Sequence, residues 1–264
     1  MGTAMPTATL NGIRLYYEVH GQGEPLVFLH GFAGTAESWR PQVAALSARY
    51  RLILYDARGH WRTESPKEAE AYSHDIAVED LRALLDQVKA GPTIVGGLSM
   101  GGVIALAFYA KYPARVRALI LCDTGPGFKN LERRDRWTRS REKVAELLER
   151  EGMPGFAGSR HAALDYYTSS EIMLQHDPVG LAHVNRRILV IPDTRFMDLL
   201  SRIAVPTLVL VGAEDTDYRP AAEYMARKIP GAELVVLDKA GHGANVDQPD
   251  AFNRAIRDFL ERRL

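Results

Sequence analysis

One pentapeptide constrains this chain more than any other feature: Gly97-Leu98-Ser99-Met100-Gly101, set between the apolar run Thr93 to Gly96 and the long apolar segment Gly102 to Tyr112. Two apolar stretches joined by so short a link read as a strand, a sharp turn and a helix, with the serine at the apex. Glycine on both sides of the serine removes the Cβ atoms that would collide with strand or helix. The turn holds the serine in a strained backbone conformation that lifts Oγ out of the sheet. The helix that follows aims unpaired N–H groups, and the positive end of its dipole, at the same place. The pentapeptide alone also fits a plain strand-to-helix turn. What decides between the two is whether partners for the serine occur further along the chain.

The same alternation of strand and helix runs through most of the sequence. Leu10 to Val19, with Asn11-Gly12 and then alternating Ile13, Leu15, Tyr17 and Val19, reads as a hairpin. Leu26 to Leu29 and Leu52 to Tyr55 read as strands, with a helix over Trp39 to Tyr50 between them. Ala77, Leu81, Leu84, Leu85 and Val88 trace an amphipathic helix closed by Gly91-Pro92. Further strands are expected at Ala118 to Leu121, Thr207 to Val211 and Leu234 to Leu237, and a C-terminal helix from near Pro249. Short, near-continuous apolar strands alternating with helices specify an α/β fold: a mostly parallel, doubly wound sheet flanked by helices on both faces. The alternation stops between residues 124 and 203, which hold helix formers, scattered Gly and Pro and no convincing buried strand. That segment is expected to be a helical cap, inserted into a core made of residues 1–123 and 204–264. With 264 residues, 46% of them hydrophobic, the chain can bury such a core.

Charge and cysteine content exclude several classes of function. The 33 basic residues balance 33 acidic ones, for a formal net charge of zero. This leaves no basic footprint for nucleic acid or a membrane surface. No apolar run approaches the ~20 residues that span a bilayer. Met1 to Leu10 lacks the basic and apolar segments of a secretory signal. The single cysteine, Cys122, rules out an internal disulfide and fits a reducing compartment. The expectation is a cytoplasmic protein with a small-molecule partner, its oligomeric state open and a homodimer included.

Functional side chains of open parallel sheets sit on loops at the carboxyl ends of strands. After Thr207 to Val211 comes Gly212-Ala213-Glu214-Asp215-Thr216-Asp217; after Leu234 to Leu237 comes Asp238-Lys239-Ala240-Gly241-His242. An acid and then a histidine thus follow the serine, each just past its own strand. A serine hydroxyl is a poor nucleophile at neutral pH. An imidazole can take its proton and later return it to a leaving group. A buried carboxylate fixes the imidazole tautomer and stabilises the imidazolium. Asp217 competes with Asp215 for the acid role, and spacing from the strand end favours Asp215. Charge developing on a carbonyl oxygen needs fixed donors, which the backbone N–H groups of Met100 and of Phe32 would supply.

These motifs resemble the α/β-hydrolase fold superfamily, and within it the lid-bearing esterase, lactonase and cofactor-free perhydrolase branch. The resemblance is carried by His30-Gly31-Phe32, Asp56-Ala57-Arg58-Gly59-His60, Gly97 to Gly102, Gly212 to Asp215 and Gly241-His242. It implies Ser99 as nucleophile, Asp215 as acid, His242 as base, and Phe32 and Met100 as main-chain oxyanion donors. No cofactor and no metal are implied. The wording Leu-Ser-Met-Gly-Gly resembles 3-oxoadipate enol-lactonases and related carboxylesterases in particular. The family often continues Arg-Gly-His-Gly-x-Ser, whereas this chain reads Arg58-Gly59-His60-Trp61-Arg62-Thr63, with bulky and cationic side chains at small positions. The expected activity is hydrolysis of a small carboxylic ester or lactone through an acyl-enzyme on Ser99. Enol-lactone opening, carbon–carbon bond hydrolysis and perhydrolysis use the same three residues. A non-catalytic small-molecule receptor on the same fold is the alternative from another class.

Other candidates carry blander expectations. His30 and His60 are expected to brace their loops, His74 to lie on the surface and Cys122 to be a buried, inert thiol. Trp61 and Trp137 are candidate substrate contacts. Trp137, Tyr166, Tyr167, Met173 and Phe196 are expected mainly to glue the cap to the core. The basic run Arg133, Arg134, Arg136, Arg139 and Arg141, interleaved with Glu132, Asp135 and Glu142, reads as a solvated helix face.

Overall fold

The computed structural model describes residues 7–162 and 169–264. β1 (Thr7–Leu10) and β2 (Ile13–His20) form the hairpin, and both turn residues, Asn11 and Gly12, have positive φ (46° and 78°), as a tight primed turn requires. β3 (Glu24–Leu29), β4 (Tyr50–Tyr55), β5 (Thr93–Leu98), β6 (Val116–Cys122), β7 (Thr207–Gly212) and β8 (Glu233–Leu237) complete one eight-stranded sheet, in the order β1-β2-β4-β3-β5-β6-β7-β8. Pairs from β4 to β8 are parallel, and β1 and β2 run antiparallel at one edge.

Side chains alternate along each strand and feed two cores. Val27, Ile53, Val95, Leu119 and Val209 face the side covered by α2 (His74–Gln87), α3 (Met100–Lys111) and α8 (Arg219–Lys228). Their neighbours Phe28, Leu52, Ile94, Ile120 and Leu208 face α1 (Arg40–Ser47) and α9 (Pro249–Arg263), where Trp39, Phe252 and Phe259 are fully buried. The expected doubly wound sheet is therefore present.

Two boundaries differ from the sequence reading. The helix expected from Trp39 to Tyr50 is a short 3-10 turn capped by Thr35, then α1, which ends at Ser47. Tyr50 instead opens β4. The amphipathic helix α2 starts at His74, because Ser73 Oγ accepts the Ile76 N–H at 3.1 Å and so satisfies an end donor.

Between β6 and β7 lie α4 (Leu131–Ala157), α5 (Ser170–Met173), α6 (Pro178–Arg187) and α7 (Arg195–Leu199), with no strand among the described residues. The apolar run Ile188 to Ile191 is buried but unpaired with the sheet. Side chains bind its carbonyls instead: His74 Nε2 reaches Ile188 O at 2.8 Å, and Trp137 Nε1 donates to Leu189 O at 2.7 Å. α4 breaks at Gly152 (φ 64°, ψ −164°), two residues before Pro154, which cannot accept a helix interior. Arg186 of α6 clasps Glu142 (2.7 Å) and Glu149 (2.9 Å) of α4. No helix among the described residues is long and apolar enough to cross a membrane.

Candidate active site

β5 runs straight into the turn. Ser99 sits at φ 53° and ψ −113° as the residue before α3, a conformation costing about 1–3 kcal/mol that the surroundings must impose. They do so by close approach. A Cβ on Gly97 would lie 2.2 Å from the Gly101 carbonyl carbon, and one on Gly101 would lie 2.1 Å from Leu29 O. Main-chain bonds pin the apex: Ser99 N–H donates to Cys122 O at 2.9 Å, and Thr124 Oγ1 donates to Ser99 O at 2.7 Å.

The loops after β7 and β8 bring the other two residues together. His242 Nδ1 and Asp215 Oδ2 are 2.7 Å apart. The other Asp215 oxygen accepts the Tyr218 N–H at 3.3 Å, and the loop before His242 is held by Gly241 N–H to Asp247 Oδ2 at 2.8 Å. Asp217, the competitor, is exposed. Ser99, Asp215 and His242 line one cavity of about 660 Å³, together with Phe32 and Met100.

Two neighbours of the pair were missed in the sequence. The Tyr218 ring stacks on the His242 imidazole, with centroids 4.6 Å apart and planes 28° from parallel. Asp123 follows β6 at φ 42° and is fully buried. Asp123, Asp215 and His242 each put a polar atom within 4.8 Å of the others'. One Asp123 oxygen accepts the Gly212 N–H at 2.8 Å and the other has no partner. Burial pushes the Asp123 carboxyl well above its ordinary range; the Gly212 bond opposes this and the Asp215 charge adds to it. These three could offer ligands to a cation, but each is already engaged: Asp215 with His242, and Asp123 with Gly212. The strand-end rule that found Asp215 also points to Asp123, directly after β6. No pattern in the sequence marks Tyr218.

The loop after β3 carries Phe32. His30 Nδ1 lies 2.7 Å from Gly31 O, while its Nε2 accepts the Ala57 N–H at 2.9 Å. His60 Nδ1 lies 3.1 Å from Arg58 O, while its Nε2 accepts the Ala33 N–H at 3.3 Å. Both rings therefore serve as one-proton, neutral braces. Burial lowers His30 to about 4 and His60 well below its usual value. Among the described residues, the N–H groups of Phe32 and of Met100, the first residue of α3, meet no acceptor. Both are free to hold a developing oxyanion.

α4 supplies much of the facing wall. Arg133, Trp137, Arg141 and Val144 lie on one helical stripe and line the cavity, as do Arg136 and Arg160. The Arg141 guanidinium lies 4.5 Å over the Trp137 ring. The basic run is therefore not wholly a solvated face: the 3.6-residue period turns Arg133, Arg136 and Arg141 toward the cavity and leaves Arg134 and Arg139 off its wall. Trp61 is a correction in the other direction. It is absent from the cavity wall, and its ring lies 4.0 Å under the Arg62 guanidinium. Arg62 bonds Asp56 at 2.6 Å and Glu37 at 3.1 Å, so the departure at 61–62 builds an ion-pair network instead of a pocket. His74 is likewise buried, not a surface residue, because it holds Ile188 O. Met173 and Phe196 are buried away from the cavity, and Tyr166 and Tyr167 lie outside the described residues. Cys122 is buried, and burial pushes its thiol well up.

The chain belongs to the α/β hydrolase fold family, whose profile matches residues 24–249. It is 32% identical over 276 residues to a Bacillus subtilis (strain 168) protein named "Putative 2-succinyl-6-hydroxy-2,4-cyclohexadiene-1-carboxylate synthase", covering 98% of this chain and 99% of that one. Among solved structures, a thermophilic esterase from Thermogutta terrifontis superposes with a TM-score of 0.84 at 30% identity, covering 98% of this chain and 99% of its own. The enol-lactonase from Burkholderia xenovorans LB400 gives 0.82 at 27% identity, covering 97% and 100%.

Proposed function

We propose that the protein is a serine hydrolase of small carboxylic esters or lactones, with Ser99 as nucleophile, His242 as general base, Asp215 as its partner and the N–H groups of Phe32 and Met100 as oxyanion donors. The observation that carries the reading is the strained Ser99 on one cavity wall with a His242–Asp215 pair bonded at 2.7 Å. Ser99 Oγ attacks the carbonyl carbon as its proton passes to His242. The carbonyl π pair moves onto oxygen, held by the two N–H groups. When the tetrahedral adduct collapses, the C–O bond to the alcohol breaks and His242 returns the proton to that alcohol. Water, deprotonated by the same imidazole, then releases the acid. The helices between β6 and β7, residues 124–203, serve as the cap that shapes the acyl pocket. Likeness to an esterase and to an enol-lactonase supports this class.

A fluorophosphonate tests it. Intact-mass analysis should show one adduct, mapped to Ser99 and absent from Ser99→Ala. An unmodified mass would overturn the reading in favour of a small-molecule receptor.

The basic side of the cavity supports a substrate with a free carboxylate. Among the described residues, Arg133, Arg136, Arg141 and Arg160 share the wall with one acidic residue outside the His242 pair, Asp217. A hemisuccinate p-nitrophenyl ester should show a lower KM than the butyrate ester, and the gap should shrink as salt rises. Equal KM values at low salt would remove the carboxylate preference. The Bacillus subtilis relative favours a second reading, in which the same serine and histidine act on a cyclohexadiene carboxylate precursor. Failure of every ester and lactone, with the phosphonate adduct still forming, would select it.

A further inference from the structure

Tyr218 belongs to none of the motifs that point to the reaction, yet it is the aromatic side chain that lies face to face with the base. It is the residue before α8, three positions past Asp215, and its own N–H returns to Asp215 Oδ1 at 3.3 Å. The loop that supplies the acid therefore also supplies a ring set 4.6 Å from the His242 centroid, at 28°. That is the offset, near-parallel geometry in which a π face meets a flat neighbour. A neutral imidazole gains modestly from it. An imidazolium gains more, because the negative face of the phenol ring attracts the charge.

We propose that Tyr218 is a positioning residue of the site: its ring face is the platform on which His242 rests, and it favours the protonated imidazole that forms when Ser99 gives up its proton. The inference rests on the reading of His242 as general base. The platform works with, and not instead of, Asp215. The carboxylate fixes the Nδ1 edge of the ring in its plane, while Tyr218 fixes the tilt of that plane and so the direction of the opposite edge, toward Ser99. Burial holds the Tyr218 phenol up, to about 12, so the ring stays uncharged across the working range and only its face and hydroxyl act. Tyr218 lines the same cavity as Ser99 and His242.

The charged groups around the imidazole come from several elements. Asp215 and exposed Asp217 belong to the loop after β7, buried Asp123 follows β6, Asp247 braces the loop after β8, and Arg141 of α4 acts on Tyr218 from across the cavity. None of these is altered by changing the aromatic ring, which makes the ring's own effect separable.

The test compares Tyr218→Phe with Tyr218→Leu in the full chain. Phenylalanine keeps the face and loses the hydroxyl; leucine keeps an apolar cover of similar reach and loses the face. The His242 ring resonances, assigned by their loss in His242→Gln, are followed by NMR against pH. The acid limb of kcat/KM on p-nitrophenyl acetate is followed alongside. Loss of the face should move both midpoints down by about 0.5 to 1 pH unit in the leucine variant, and leave them in place in the phenylalanine variant. Midpoints unmoved in a folded leucine variant would overturn the proposal, as would an equal fall in both variants. The NMR midpoint needs no turnover. Loss of the hydrolase reading would leave it measurable, whereas failure of the platform alone would leave the Ser99 phosphonate adduct intact. If the leucine variant does not fold, Tyr218→Trp, with a larger face, should raise the midpoint, and a fall would overturn the proposal.

Discussion

Ser99→Ala is expected to lower kcat/KM for p-nitrophenyl acetate by about 10⁴- to 10⁶-fold, the loss seen when the nucleophile of such a unit is removed. The remaining rate comes from oxyanion donors and binding, which alanine leaves untouched. The substitution does not disturb the turn. Both bonds that pin the apex, Ser99 N–H to Cys122 O and Thr124 Oγ1 to Ser99 O, are made by the backbone of residue 99. Circular dichroism should therefore overlay the parent while turnover disappears. A variant that keeps the parental rate would remove Ser99 from the reaction.

The second large effect separates two aspartates that differ by two positions. Asp215→Asn should reduce kcat by about 10⁴-fold, and Asp217→Asn should leave kcat close to the parent. The asparagine amide in place of the Asp215 carboxylate turns a donor toward Nδ1. The imidazole then carries its proton on the edge that must accept one from serine. Asp217, exposed and off the His242 edge, has no such hold on the tautomer. Steady-state rates of the two purified variants on one ester decide it. Comparable losses in both would contradict the assignment of the acid.

The parts of the site that could be read in advance are those where backbone geometry dictates residue type. Gly97 and Gly101 are glycines because a Cβ there meets backbone at little over 2 Å, and such needs leave a visible pattern. The strands were legible because burial on both faces makes their runs almost wholly apolar. Positions set by packing between distant segments left no comparable trace. Tyr218 reads as an ordinary loop aromatic until the β7 and β8 loops are side by side. His74 reads as a surface residue because its acceptor, Ile188 O, lies 114 positions along the chain. Trp61 misled for the opposite reason: a bulky side chain at a small position drew attention to a pocket, whereas its ring lies against Arg62, which pairs with buried Asp56 and half-buried Glu37. Asp123 obeyed a rule already in use, and a third strand end would have yielded it.

The clasp of Arg186 on Glu142 and Glu149 spans two turns of α4 from a single side chain of α6. Two rods cross-braced in this way travel as one stiff plate. α4, which lines the cavity, is thereby tied to α6, which does not. Since both brace points are more than two-fifths exposed, Glu142 at 46% and Glu149 at 42%, added salt should loosen the plate.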